Sequence, residues 1–177
     1  MHEILRRIAM AKDAYSKMSK LFKNHEISLD TKKRLLKCYI RPILVYGSEC
    51  WTISTKMRER LDAAEMWFYR RILRISYKQH VTNERVLERM SAERELVKTI
   101  RVQQMKFFGH IMRNEVVENT IVTGKIEGKR SQGKQRVTFT KSLNNWIGIN
   151  EVKLTGAAQD RQRWKAITSE VWNRHGT

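Results

Sequence analysis

The chain has 177 residues, a length that suits one compact domain or one domain with a small appendage. Its 36 Lys and Arg residues outnumber 18 Asp and Glu residues, and the net charge of +18 indicates a polyanionic partner, with nucleic acid the usual one. The sequence contains no apolar run of about 18 residues and no secretory signal, so we expect neither membrane insertion nor secretion.

Few residues in the chain break helices, since Pro42 is the only proline and glycine occurs eight times. We therefore predict a mainly α fold. A first helix is predicted over about 3–23, where apolar residues recur at steps of three and four. A second helix follows the N-cap Ser28 and ends near Gly47, with Pro42 disturbing its bonding and residues 43–46 deeply buried.

The third predicted helix begins near residue 54 or 55 and combines an apolar stripe with a basic side. The stripe consists of Met57, Leu61, Ala64, Phe68, Ile72 and Ile75. The basic side and the aromatic residues that flank it are Arg58, Arg70, Arg71, Arg74, Trp67 and Tyr69. Two more helices are predicted, a short one after the N-cap Thr82 and a longer one over about 93–113.

The segment 121–141 changes character, because three glycines interrupt it and six of its residues are Lys or Arg against one Glu. We predict a flexible basic loop here, with a short hairpin near 121–140 as the alternative. A helix is predicted again over about 155–173. The predicted organisation is a thumb-like helical bundle, further helices, the basic loop and a terminal helical segment, at 1–50, 51–120, 121–141 and 142–177.

The acidic residues give little support to catalytic chemistry. Polymerases and nucleases that use two metal ions need clustered carboxylates, because the two cations share oxygen ligands. No Asp-Asp pair occurs, and the four aspartates are Asp13, Asp30, Asp62 and Asp160. The two cysteines and the scattered histidines do not have the spacing of a zinc site. We expect no catalytic residue, no metal ion and no cofactor in this chain.

Several stretches, taken together, resemble one family. Residues 44–51, Leu-Val-Tyr-Gly-Ser-Glu-Cys-Trp, resemble a signature found just after the polymerase domain of many non-LTR retrotransposon reverse transcriptases. Four further stretches follow in the order of that family: EMWFYRRILRI at 65–75, Phe-Phe-Gly-His at 107–110, the basic run 124–130 and Ala-Gln-Asp-Arg-x-x-Trp at 158–164. The resemblance covers almost the whole chain and is closest to LINE-like elements of the RTE type.

This resemblance implies the C-terminal region of such an enzyme, the thumb and the part after the polymerase domain. In the family the catalytic Asp-Asp pair lies in the palm, upstream of the matched region. The chain alone is therefore expected not to be an enzyme, although its parent would be an RNA-directed DNA polymerase. Residues 1–50 would correspond to the thumb that grips the template–primer duplex, and the rest to an extension that helps to bind element RNA and target DNA. The implied partners are RNA or DNA and the palm and fingers of a parent polymerase, and the implied location is the nucleus after cytoplasmic synthesis.

The chain departs from the family in two basic stretches. The loop 131–136 lacks the proline and two arginines of a Gly-Arg-Gly-Arg-Pro-Arg element, and Phe139 replaces the tryptophan that follows it. Around 101–106, a run that is more basic in the family is interrupted by Val102, Gln103 and Gln104. Both changes predict weakened binding, as in a decayed copy of an element.

The candidate nucleic-acid-binding residues lie on the third helix and in the loop, and they are Arg70, Arg71, Arg74, Lys125, Lys129, Arg130, Lys134 and Arg136. Their charges would neutralise phosphates with little sequence preference. Trp67 or Tyr69 is a candidate for stacking on unpaired bases, with core packing as the alternative for both. Two other functions stay open. One is a helical module that docks on a partner protein, or a co-opted, truncated element protein without polymerase activity. The other is a sequence-specific helix-turn-helix factor.

Overall fold

The computed structural model of the chain describes residues 2–114, 117–123, 133, 137–149 and 151–174. Within these residues the backbone forms helices joined by turns and contains no strand, so the prediction of a mainly α fold is confirmed. The chain divides into two compact units. Unit 1 comprises Met1–Tyr46 and Thr55–Val97, and unit 2 comprises Gly47–Ser54 and Lys98–Thr177.

The helices of unit 1 are α1 (His2–Lys17), α2 (Ser19–Lys23), α3 (Leu29–Leu35), α4 (Arg41–Val45), α5 (Thr55–Ile72), α6 (Asn83–Met90) and the start of α7 (Leu96–Arg113). The single helix predicted over 3–23 is broken at Met18, which separates α1 from α2. The helix starts predicted from Ser28 and Thr82 are confirmed. Each side-chain oxygen accepts a hydrogen bond from a backbone N–H three residues further on.

Between α3 and α4 the backbone forms a π-helical turn, Leu36–Ile40, immediately before Pro42. Proline has no N–H to donate, and its ring would clash with the carbonyl of Cys38 four residues earlier in a regular α-helix. A π-turn widens the helix at this point and relieves that conflict. The predicted disturbance around Pro42 is therefore confirmed, and α4 begins again with the proline in its first turn.

The core of unit 1 forms where the apolar stripes of α1 and α5 meet. The ring of Tyr15 stacks on Phe22 with centroids 4.4 Å apart and also contacts Phe68 at 5.5 Å. Burial of one such large side chain stabilises the fold by roughly 1.5–3 kcal/mol. The prediction that residues 43–46 are deeply buried is confirmed only for Leu44. Ile43 and Val45 are half-buried, and the prediction is wrong at Tyr46. This side chain is 68% exposed, because α4 ends at Val45 and the chain turns away.

Unit 2 contains a short 3-10 turn (Ser48–Cys50), the greater part of α7, and then α8 (Val117–Thr123), α9 (Phe139–Ile147), α10 (Glu151–Gln159) and α11 (Arg161–Arg174). The predicted loop 121–141 is shorter than expected, since α8 continues to Thr123 and α9 begins at Phe139. No strand borders it among the described residues. The predicted helix over 155–173 is divided at Asp160, whose carboxylate accepts hydrogen bonds from the first N–H groups of α11.

The core of unit 2 gathers around Phe108 of α7. Leu143 of α9, Leu154 of α10 and Trp164 of α11 are buried with it. Phe107 is only half-buried, whereas its neighbour Phe108 is fully buried. No helix in the described part of the chain combines the length and the apolarity that a membrane crossing requires.

Candidate nucleic-acid interface

Two cations lie over the ring of Trp67 in unit 1. The Nζ atom of Lys12, from α1, is 5.0 Å from the ring centroid, and the guanidinium carbon of Arg71, from α5, is 4.3 Å from it. Trp67 and Arg71 are one helical turn apart, so their side chains share a face of α5. Lys12 reaches the same ring because α1 and α5 pack together through Tyr15, which meets Trp67 edge to face at 5.6 Å.

This arrangement holds positive charge in place without neutralising it. A cation–π contact contributes about 0.5–1 kcal/mol at an exposed site and leaves the net charge unchanged. Among the described residues, neither Lys12 nor Arg71 forms an ion pair with a carboxylate, whereas Lys17 pairs with Asp13 at 2.8 Å. Burial raises the pKa of Tyr15 to about 12, although the nearby Arg71 acts in the opposite direction. The tyrosine is therefore neutral and does not offset these cations.

Arg74 lies just past the end of α5 in a left-handed conformation, with φ of 57°. Its guanidinium donates to the carbonyl of Lys23 at the end of α2 and to Nε2 of His25 at 2.6 Å. The side chain is exposed and ties the C-terminal ends of α2 and α5 together. Arg74 and the exposed Lys23 therefore extend the positive surface that begins at Lys12. We call Lys12, Trp67, Arg71, Arg74 and Lys23 the Trp67 cluster.

Arg70 serves a different purpose from its neighbours. Its half-buried guanidinium donates to the carbonyl of Val81 at 2.8 Å and to Oδ1 of Asn83 at 2.9 Å. These bonds hold the residues that lead into α6. Of the three predicted arginines, Arg71 and Arg74 belong to the Trp67 cluster. Arg70 instead forms hydrogen bonds within unit 1.

The other predicted binding residues, Lys125, Lys129, Arg130, Lys134 and Arg136, lie outside the described residues. The alternative of a hairpin near 121–140 lies mostly outside them as well. The idea that Tyr69 stacks on bases is wrong, because its ring is 4% exposed and its hydroxyl donates to Glu65 at 3.1 Å. Sequence reasoning missed Lys12. Lys12 lies beside the apolar stripe of the first helix, and nothing in the local sequence indicates that it contacts Trp67.

Glu65 of α5 is a buried carboxylate at the start of α7. Its Oε1 accepts hydrogen bonds from the backbone N–H groups of Glu95 and Leu96, at 3.2 and 3.0 Å, and lies 3.5 Å from the Arg41 guanidinium. Burial raises the pKa of Glu65, and this outweighs the opposite effects of Arg41, Tyr69 and the two N–H groups. The carboxylate acts as a structural anchor for the N-terminal end of α7.

The aspartates are also engaged in local structure. Asp13, Asp30 and Asp62 lie beside basic residues three or four positions away on their own helices, and Asp160 caps α11. The described residues contain no group of three or more His, Cys, Asp and Glu side chains placed to hold a metal ion. Helix stability therefore explains these four aspartates.

In unit 2, stretches that carry the family resemblance contact one another. The Trp164 indole N–H donates to the carbonyl of Met105 at 2.8 Å, and the indole lies directly against Gly109. Arg113 donates to the carbonyl of Ala158 at 2.8 Å. The stretches 107–110 and 158–164 therefore pack against each other within unit 2. This packing accounts for Gly109 in the first stretch and Trp164 in the second.

Gln104 corrects the interpretation of residues 101–106. It is fully buried, and its amide donates to the carbonyls of Ser48 and Trp51, each at 2.9 Å. Gln103 accepts a hydrogen bond from the Ser48 hydroxyl at 3.0 Å. These glutamines hold the Gly47–Ser54 segment against α7. Gln104 therefore has a structural role, and its presence in place of a basic residue does not indicate a weakened binding surface.

Comparison with known proteins finds one relevant similarity. The chain is 27% identical over 162 residues to an uncharacterized transposon-derived protein of Caenorhabditis elegans, with 82% of this chain covered. The matched region spans 57% of that relative's length. No family model matches the chain, and no solved structure matches it. The similarity indicates a transposon-related origin.

Proposed function

We propose that this chain is a non-catalytic, nucleic-acid-binding segment of a transposon-derived protein, and that unit 1 binds the phosphate backbone through the Trp67 cluster. The observation that carries the proposal is the pair of cations over Trp67, Lys12 and Arg71, held in place with no carboxylate partner among the described residues. Fixed cations of this kind lose little conformational entropy when they meet a phosphate.

The surrounding charge supports the same function. No Asp or Glu occurs between Glu65 and Glu84, whereas Arg70, Arg71, Arg74 and Lys78 fall in that interval. The chain from the end of α5 to the start of α6 therefore carries positive charges and no negative ones. Phosphate contacts of this type fix the position of nucleic acid without reading its sequence. The basic loop residues Lys125, Lys129, Arg130, Lys134 and Arg136 are proposed as a second contact.

A finer proposal follows from the resemblance stated above. We propose that the parent protein is a reverse transcriptase of the non-LTR, RTE-type class, and that this chain corresponds to its thumb and to the region after the polymerase domain. The transposon-derived relative supports a mobile-element origin. In this proposal the polymerase chemistry belongs to a palm outside the matched region, and this chain contributes binding, in the nucleus, to element RNA or target DNA.

A salt titration tests the binding function. Fluorescence anisotropy with a labelled hairpin RNA and a labelled duplex DNA should give dissociation constants on the order of micromolar at low salt, rising steeply as salt increases. The double variant Lys12→Ala with Arg71→Ala should lower the slope of log K against log salt by about two. The exposed α6 pair Arg85→Ala with Arg89→Ala provides a charge-matched control and should retain the slope of the wild type. Absence of binding, or binding that does not depend on salt, would overturn the proposal.

A further inference from the structure

Tyr77 presents its ring to solvent in the segment that joins α5 to α6. The side chain is 85% exposed, more than any other large hydrophobic residue that the structure describes. It lies in a 3-10 turn, Tyr77–Gln79, whose neighbouring ring contact is with His80, at 6.2 Å between centroids. An aromatic ring in this position adds little to the core, so the fold does not explain its presence.

Hydrogen bonds constrain the backbone that carries Tyr77. The Ser76 hydroxyl accepts from the Lys78 N–H at 3.4 Å, and the Tyr77 carbonyl accepts from the His80 N–H at 3.2 Å. Arg70 fixes the far end of the segment through the carbonyl of Val81. A ring held on such a turn is pre-organised, so a ligand that meets it pays a small cost in lost motion.

The same segment contains two strained positions. Arg74 and His80 both adopt positive φ, at 57° and 46°, although neither is a glycine. Left-handed conformations of this kind cost free energy and are retained where the surrounding structure demands them, frequently at functional sites. Here they bend the chain on either side of Tyr77 and hold the ring away from the core.

The charged residues that flank the ring along the chain have one sign. Lys78 follows it directly and is exposed, and Arg74 and Arg71 of the Trp67 cluster precede it. No acidic residue occurs between Glu65 and Glu84. An aromatic residue flanked by cations along the chain matches a ligand that combines a flat ring with phosphates. An apolar peptide would match the ring and leave the cations without a partner.

We infer that Tyr77 is a stacking platform for one unpaired nucleobase, with Lys78 placed to contact a phosphate next to that base. The inference rests on the proposed nucleic-acid binding and deepens it, because the Trp67 cluster would hold a backbone of either form whereas Tyr77 would favour single strands. Stacking on an aromatic side chain is tolerant of base identity, since every base has a π-face. The expected preference is therefore for unpaired over paired nucleic acid.

Variants at position 77 test the inference. Binding is measured by anisotropy at low salt with a labelled oligo-U 12-mer, an oligo-dT 12-mer and a 12-base-pair duplex. Tyr77→Ala should weaken single-strand binding about tenfold and leave duplex binding within about twofold of the wild type. Tyr77→Phe should bind like the wild type, because stacking needs the ring and not the hydroxyl. Tyr39→Ala, which removes another exposed tyrosine of unit 1, should change neither affinity.

The outcomes separate this inference from the proposed function. If the wild type binds all three probes and Tyr77→Ala changes none of them, or weakens the duplex and the single strands equally, the stacking platform is overturned and the binding function stands. If Tyr77→Phe binds as poorly as Tyr77→Ala, stacking is overturned as well. If the wild type binds no probe, the proposed function fails first. Circular dichroism verifies that the variants fold, and equal effects on oligo-U and oligo-dT would assign the contact to the base and not to the sugar.

Discussion

Gly109 of α7 lies against the indole of Trp164 on α11, and a Cβ atom at position 109 would overlap that ring. The indole N–H donates to the carbonyl of Met105, one turn earlier on α7. Glycine at 109 therefore sets how closely the two helices of unit 2 approach, and Trp164 sets their register. Any larger residue at 109 would displace the indole.

Gly109→Ala is expected to destabilise unit 2 by about 1–3 kcal/mol, because the added methyl group forces the buried indole out of its position. Urea unfolding followed by circular dichroism measures the loss. Gly156→Ala on α10 is the matched control, since nothing lies within 4 Å of a Cβ built there. That control should match the wild type or gain up to about 1 kcal/mol from higher helix propensity. A Gly109→Ala protein as stable as the control would contradict the close approach.

Gln104→Leu is expected to cost about 2 kcal/mol, because the Trp51 carbonyl loses its donor and the Ser48 carbonyl loses one of two. Gln103→Leu removes one bond, the one from the Ser48 hydroxyl, and should cost less than Gln104→Leu. Chemical denaturation of the two variants compares them directly. Equal losses would mean that the Gly47–Ser54 segment is not held by Gln104.

The stability contributed by Glu65 should depend on pH. Burial raises its pKa in the folded state above the ordinary value of 4.5, so the folded protein takes up a proton at a pH where the unfolded chain does not. The free energy of unfolding, relative to Glu65→Gln, should therefore rise as the pH falls from 7 towards 5. Glu59→Gln, at an exposed position of α5, controls for the change in net charge.

The measurement is kept above pH 5 because Glu95 acts in the opposite sense at lower pH. Burial acts to raise the pKa of Glu95, but Lys37 and Arg41 outweigh it and lower that pKa. Its stabilising effect is present above 4.5 and is lost as the pH falls through the folded-state pKa. A difference between wild type and Glu65→Gln that is flat from pH 7 to 5, or falls, would contradict the raised pKa of Glu65.

Arg70 and Arg71 are adjacent in the sequence and should differ in effect. Arg70→Ala should cost about 1.5–3 kcal/mol of stability, since its charged guanidinium holds Val81 and Asn83. Arg71→Ala should cost about 0.5–1 kcal/mol, the size of an exposed cation–π contact, and should lower the salt slope of binding by about one. Thermal unfolding and salt titration of both variants test this. The reverse pattern would mean that Arg70 contacts the ligand.

The loop is tested by changing Lys129, Arg130, Lys134 and Arg136 to Ala together. If each neutralises a phosphate, the salt slope should fall by about four and the affinity at low salt by orders of magnitude. The Lys12→Ala with Arg71→Ala variant is measured beside it. An unchanged affinity in the loop variant would confine the binding site to the helices of unit 1.

Much of the fold followed from the sequence, because its helices have regular apolar stripes. The stripe of α5 is buried along Met57, Leu61, Ala64, Phe68 and Ile72, as its spacing predicts. The last predicted member, Ile75, lies beyond the end of α5 and is half-buried. Helix ends were harder to predict. The break at Met18 and the one at Asp160 interrupt stripes that continue through them, so periodicity could not find them. Helix α9 was missed because its start at Thr138 adjoins a basic, glycine-rich run.

The site was less predictable, since a charged residue looks the same in the sequence whether it faces water or another chain segment. Arg70, Arg71 and Arg74 form one pattern in the sequence. In the structure, Arg70 binds the residues before α6, Arg71 lies over Trp67, and Arg74 connects the ends of α2 and α5. These roles depend on partners that are distant along the chain, such as Lys12 and Lys23, and no local spacing encodes them.

The Gly47–Ser54 segment should fold late during synthesis, because its partners on α7 follow it in the chain. Ser48 leaves the ribosome 56 residues before Gln104, the side chain that will hold its carbonyl. Unit 1 has all its residues once Val97 has emerged, whereas unit 2 must wait for α11 to supply Trp164. A nascent chain would then contain a folded unit 1, interrupted in sequence by a turn whose Ser48 and Trp51 carbonyls still lack the Gln104 donor. A chain stalled after Val97 but before Trp164 has emerged should therefore protect the amide protons of the core around Tyr15 while the Gly47–Ser54 segment is not yet held against α7.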